Sequence, residues 1–127
     1  MPRSGMLRKG VKVMPYINMK TNIEVTKEKE VALKKGLGEA IGLIPGKSEE
    51  WLMVAVEDNK TLYFRGSADQ PTAFVEVRIL GSTTKEAYQR LTAQITHILK
   101  EELEISPDQI FVTYQEIEHW GWNGSNS

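Results

Sequence analysis

From Pro15 the chain alternates. Tyr16, Asn18, Lys20 and Asn22 fall on one side, and Ile17, Met19, Thr21 and Ile23 on the other. A period of two belongs to a strand with one covered face. Thr26 then offers a helix N-cap, Glu28 and Glu30 suit the positive first turn, and Val31, Leu33, Leu37, Ala40, Ile41 and Ile44 recur at helical spacing until Pro45-Gly46 stops them. The unbroken apolar run from Trp51 to Val56 predicts a strand covered on both faces. After a turn at 57–60, residues 61–64 can form a short strand and 65–71 a polar loop. Ala73 to Leu80 alternates once more. Thr83-Thr84-Lys85-Glu86 supplies a capping box for a second helix, with Tyr88, Leu91, Ile95, Ile98 and Leu99 on its apolar face and an end near Leu103. Ser106-Pro107-Asp108 turns the chain into a last main strand over 110–114, and the tail from Trp120 to Ser125 reads as aromatic and then flexible.

These elements repeat. Thr26-Lys27-Glu28 returns as Thr84-Lys85-Glu86, an offset of 58 (84 minus 26), and the same offset carries Leu33, Leu37 and Ile41 onto Leu91, Ile95 and Leu99. Two β-α-β units follow, each with parallel strands because a helical crossover joins them. The fold class is therefore α+β: duplicated β-α-β units forming a four-stranded sheet with two helices on one face. No further helix remains to cover the other face, so self-association is the simplest way to bury it.

Composition narrows the function classes. With 127 residues, 40% of them hydrophobic, the chain suits one domain, taken as 14–127. The first thirteen residues carry +4, from Arg3, Arg8, Lys9 and Lys12, and the remainder carries −5. Residues 1–13 read as a basic extension, disordered or not native, with no apolar stretch suited to a signal peptide. A net charge of −1 gives no general attraction to nucleic acid or an anionic membrane, and no segment approaches the roughly 20 apolar residues of a membrane span. A cytoplasmic or leaderless-secreted protein is expected. The absence of cysteine removes disulfides, thiolate metal sites and thiol catalysis.

Candidate chemistry is sparse. Residues 42–48, GLIPGKS, fall one residue short of a phosphate loop and follow a helix instead of a strand. His97 and His119, the two histidines, have no sequence reason to converge, so neither a metal site nor a cofactor is expected. That leaves Pro15, Lys47 and the aromatic residues, which composition and spacing alone assign to a strand edge, a solvated turn and a core or interface.

Five stretches in order carry a resemblance: 15–22 as PYINMKTN, Gly46-Lys47 before an apolar strand, 64–67 as FRGS, 105–108 as ISPD, and 121–123 as GWN. Over 14–125 the chain resembles the macrophage migration inhibitory factor family of the tautomerase superfamily. The resemblance implies a homotrimer whose sheets face a central channel, and a keto-enol tautomerase acting on phenylpyruvate- or dopachrome-type substrates. It makes the free amine of Pro15 the catalytic base, with Met14 as the expected initiator. Substrate binding falls to Lys47, to the backbone amide of Leu80, and to Trp51, Trp122, Phe111 and Thr113, the last two from a neighbouring subunit. Phe111 stands where the animal pattern has tyrosine and Thr113 where it has asparagine, so the implied site is more apolar. The partner implied is a small enolisable keto acid. The alternative is a non-enzymatic, cytokine-like interaction protein with a protein receptor, because an acylated Pro15 is an amide without basicity.

Overall fold

A computed structural model describes residues 14–127; the expected basic extension over 1–13 lies outside the described residues. Strand β1 (Pro15–Thr21) leads to helix α1 (Lys27–Ala40), and β2 (Met53–Glu57) returns parallel to β1. The second unit repeats this order with β3 (Ala73–Leu80), α2 (Lys85–Leu103) and β4 (Ile110–Ile117), β4 running parallel to β3. Antiparallel pairing of β1 with β3 joins the units into one sheet of order β2-β1-β3-β4. The expected fold class and duplication are therefore present.

Both helices start where the polar pattern placed them. Thr26 accepts from the Lys29 amide at 3.3 Å, and Thr84 accepts from the Ala87 amide at 3.1 Å. In α2 the cap is Thr84 and not Thr83, so the expected capping box over Thr83 to Glu86 does not form and Glu86 instead falls within the first turn, where its charge favours the helix dipole. The repeat also holds in packing. Leu33, Leu37 and Ile41 meet Leu91, Ile95 and Leu99 in one core with Ile17, Met19, Val75, Val77 and Ile79 from the sheet. Each such side chain contributes about 1.5–3 kcal/mol on leaving water.

Several expectations need correction. The first helix, expected to continue to Ile44, ends at Ala40 and gives way to a 3-10 turn over Ile41–Leu43. The strand expected from Trp51 begins at Met53, because Glu49–Trp51 forms a turn of 3-10 helix. Residues 61–64 form no strand; Phe64 and Ser67 exchange amide hydrogen bonds of 3.0 and 3.2 Å around Arg65 and Gly66, both at positive φ. The tail closes into a hairpin of β5 (Gly121–Trp122) and β6 (Ser125–Asn126). Asn123 (φ 55°) and Gly124 (φ 82°) supply the two left-handed positions of a tight hairpin turn, which Asn-Gly adopts readily.

The helices cover one sheet face. On the other, the register sets out rows: Met53, Tyr16, Arg78 and Gln115; then Ala55, Asn18, Glu76 and Thr113; then Glu57, Lys20, Phe74 and Phe111. Met53 is 66% and Phe74 39% exposed, so this face lacks apolar cover within one chain. Asn18 is buried, donates from Nδ2 to Glu57 Oε2 at 2.9 Å, and leaves its Oδ1 without a partner among the described residues.

Candidate active site

Register determines which residues meet at the Pro15 end of the sheet. Pro15 pairs with Ile79, Tyr16 with both Met53 and Arg78, and Leu80 with Ile117. A cleft of about 560 Å³ opens there, within the usual range for a small-molecule site. Pro15 is buried at one side of it, next to Met14, which is 4% exposed. As an internal residue Pro15 has an amide nitrogen. Released from Met14, the same atom is a secondary amine at the cleft.

The aromatic wall is built from both ends of the chain. Trp51 sits at the end of its 3-10 turn, and the tail hairpin brings Trp122 edge-on to it, with ring centroids 5.3 Å apart and planes at 85°. This geometry matches the preferred edge-to-face arrangement of aromatic rings. Trp120 borders the same space, so all three tryptophans of the chain line the cleft.

Lys47 is held differently. Ile44-Pro45-Gly46-Lys47 forms a turn in which the Lys47 amide donates to the Ile44 carbonyl at 3.0 Å, and Gly46 takes φ 84°, a value that suits glycine at that turn position. The side chain then runs inward. It is 9% exposed, and its Nζ donates to the Leu80 carbonyl oxygen at 3.2 Å. Burial pushes its pKa below the usual lysine value. Lys47 and Leu80 are thus brought together at the Pro15 end of the sheet, and neither lines the cleft of the single chain. The observed Leu80 contact is through its carbonyl.

Phe111 and Thr113 lie elsewhere in the same chain. They pair with Phe74 and Glu76, towards the opposite end of β3 from Ile79, where Phe111 meets the Phe64 ring at a centroid distance of 4.8 Å. One chain therefore assembles Pro15, Trp51 and Trp122 but leaves Phe111 and Thr113 apart from them.

Sequence reasoning missed three polar residues that border the cleft: Arg78, Glu50 and His119. The alternation over Ala73 to Leu80 assigned Arg78 no role, and His119 had no sequence reason to converge with His97. Antiparallel β1–β3 pairing and the chain's return after β4 bring them there, and neither leaves a local motif. Among the described residues no group of three or more His, Asp or Glu side chains is arranged to hold a metal ion. No helix among them is long and apolar enough to cross a membrane.

The family model described as macrophage migration inhibitory factor matches residues 14–127. The macrophage migration inhibitory factor of Meriones unguiculatus is 27% identical over 114 residues, covering 88% of this chain and 97% of the relative. Among solved structures, Leishmania major MIF2 superposes with a TM-score of 0.83 at 28% identity, covering 90% of this chain and 97% of that one. A fused 4-OT asymmetric trimer shares the fold at a TM-score of 0.77 and 15% identity, covering 87% and 94%.

Proposed function

Because this chain belongs to the macrophage migration inhibitory factor family, we propose that it is a keto-enol tautomerase whose base is the amine of Pro15, freed by removal of residues 1–14, with 14–127 delimiting the functional domain. The observation that carries this reading is a proline buried at the edge of a cleft with an aromatic wall.

The proposed reaction needs few groups. The amine lone pair takes a proton from the carbon next to the substrate carbonyl; the C–H electron pair becomes the C=C bond, and the carbonyl π pair moves onto oxygen. Pro15, now an ammonium, returns the proton to that oxygen, which leaves an enol and a regenerated amine. The reverse sequence ketonises an enol. Nothing is oxidised or reduced, and no cofactor takes part. An amine with an ordinary pKa is largely protonated at neutral pH and cannot act as a base. Burial and the nearby charge of Lys47 both disfavour its protonated form and so lower its pKa. The same cation favours negative charge on the enolate oxygen.

The uncovered sheet face supports a homotrimer. In that assembly Phe111 and Thr113 of one chain would complete the cleft of the next, with Leu80 at its back. The substrate class that fits the tryptophan wall is an aryl keto acid of the phenylpyruvate type. Replacing Pro15 with glycine in protein that begins at this position tests the base: a large fall in turnover is expected, and undiminished turnover sinks the assignment.

A second reading has its own observation. Met14 is buried beside the cleft and, while its peptide bond to Pro15 is intact, the Pro15 nitrogen is an amide without basicity. In that form the trimer is a non-enzymatic, cytokine-like binding module with a protein receptor as its partner. Intact mass separates the two: a species starting at Pro15 favours the enzyme, and one retaining the preceding residues favours the binding module.

A further inference from the structure

The turn at 64–67 stands outside the sheet and holds one ring against it. Phe64 and Ser67 exchange both main-chain hydrogen bonds, at 3.0 and 3.2 Å, around Arg65 (φ 56°) and Gly66 (φ 77°), so the tetrapeptide closes on itself. Arg65, Gly66 and Ser67 are exposed, whereas Phe64 is half-buried. The Arg65 guanidinium carbon lies 5.3 Å from the centroid of the Phe64 ring, a cation-π distance that steadies the ring from within the turn. Phe64 in turn meets Phe111 at 4.8 Å with planes at 82°. Phe111 is thereby held by two rings of different origin: Phe74, its cross-strand register partner, lies nearly parallel to it at 6.0 Å and 17°, and Phe64 stands across it.

We propose that Phe64 is a positioning residue: it fixes the Phe111 ring in the orientation in which that ring completes the cleft of the neighbouring subunit. The inference deepens the tautomerase reading and rests on its homotrimer for placing Phe111 at the next cleft. Its physical basis is preorganisation. Phe111 sits on the outermost strand β4 and is itself half-buried, so a ring left alone there samples several rotamers and loses that freedom when a ligand packs on it. A parallel neighbour such as Phe74 still lets the ring slide in its own plane. A perpendicular neighbour removes that motion, and edge-to-face contact is a preferred aromatic geometry. The 64–67 turn lines no part of the cleft in its own chain, so its effect on binding runs through Phe111. Each site then owes part of its preference for an aryl group to the turn of the next subunit.

The test is a double-mutant cycle read by binding without turnover, on the full chain. Since all three tryptophans line the cleft, their fluorescence reports its occupancy by 3-phenylpropionate, an inert aryl acid. Phe64→Leu keeps an apolar side chain but removes the perpendicular ring. It should weaken binding about three- to tenfold, the order expected for one aromatic pair, and Phe64→Tyr should restore it. In a Phe111→Ala background the same Phe64→Leu change should have no further effect, because the ring it positions is gone. Sedimentation should give the wild-type mass for every variant. Equal affinity in wild type and Phe64→Leu overturns the proposal, as does a Phe64→Leu loss that persists in Phe111→Ala. A variant that loses affinity together with its trimer mass overturns it too, since that marks Phe64 as an assembly residue. So does a wild type that sediments as a single copy or binds no aryl acid, because Phe111 does not reach the cleft of its own chain. A trimer that shows the coupling but tautomerises nothing would fail the proposed reaction and leave the role of Phe64 standing.

Discussion

The ammonium of Lys47 donates to the carbonyl oxygen of Leu80 at 3.2 Å, tying the turn after the first helix to the last residue of β3. The bond holds a cation at the end of the sheet where Pro15 pairs with Ile79, the residue before Leu80.

Stability should report this pair. Burial lowers the Lys47 pKa in the native state, so between that lowered value and 10.5 the unfolded chain binds more protons than the native one. Stability therefore rises with pH through this window and levels off above it. Lys47→Met should lack that rise. It should also be less stable near neutral pH by about 1–3 kcal/mol, because the Leu80 carbonyl loses its donor. Urea unfolding of both proteins from pH 7 to 10.5 is the measurement, and a constant difference across the range contradicts the assignment.

The tail hairpin should matter through Trp122. Its edge contact with Trp51 is the kind of aromatic pair that contributes about 0.5–1.5 kcal/mol beyond area burial. Trp122→Ala is expected to raise KM for an aryl keto acid several-fold and to change kcat little, since the ring binds substrate and tautomer alike. Steady-state kinetics showing the reverse pattern would place Trp122 in the chemical step.

The uncovered sheet face predicts assembly. Phe74 is stacked with Phe111 at a centroid distance of 6.0 Å and is still 39% exposed, while the buried Asn18 Oδ1 has no donor among the described residues. Phe74→Glu puts a charge into that face and should shift the sedimenting species from three copies towards one. If the variant keeps the wild-type mass, another surface holds the assembly.

Much of the fold was legible because its two halves carry the same period. Leu33, Leu37 and Ile41 and their counterparts 58 residues on marked one helix face twice, and all six are buried. Turn chemistry was less legible. Residues 61–64 looked extended, but positive φ at Arg65 and Gly66 folds them back so that the Phe64 ring packs on Phe111. The tail looked loose although Asn123-Gly124 is itself a hairpin signal.

At the site, Pro15, Trp51 and Trp122 were legible through the family resemblance, and the structure brings them to one cleft. Arg78 was not. A charge on the outward face of an alternating strand normally means solvent, and only cross-strand pairing with Tyr16 sets it beside Pro15. Lys47 was placed at the site by the same resemblance, but spacing alone made it a solvated turn residue, whereas its side chain is buried against Leu80.

The decay of phenylpyruvate enol absorbance compares two forms of the protein: one beginning at Pro15 and one retaining Met14. The Pro15 form should accelerate decay far above buffer, and the form with an intact Met14-Pro15 bond should not. A trimer with a verified Pro15 terminus and no rate above buffer would contradict tautomerisation by the proline amine, as would equal rates from both forms.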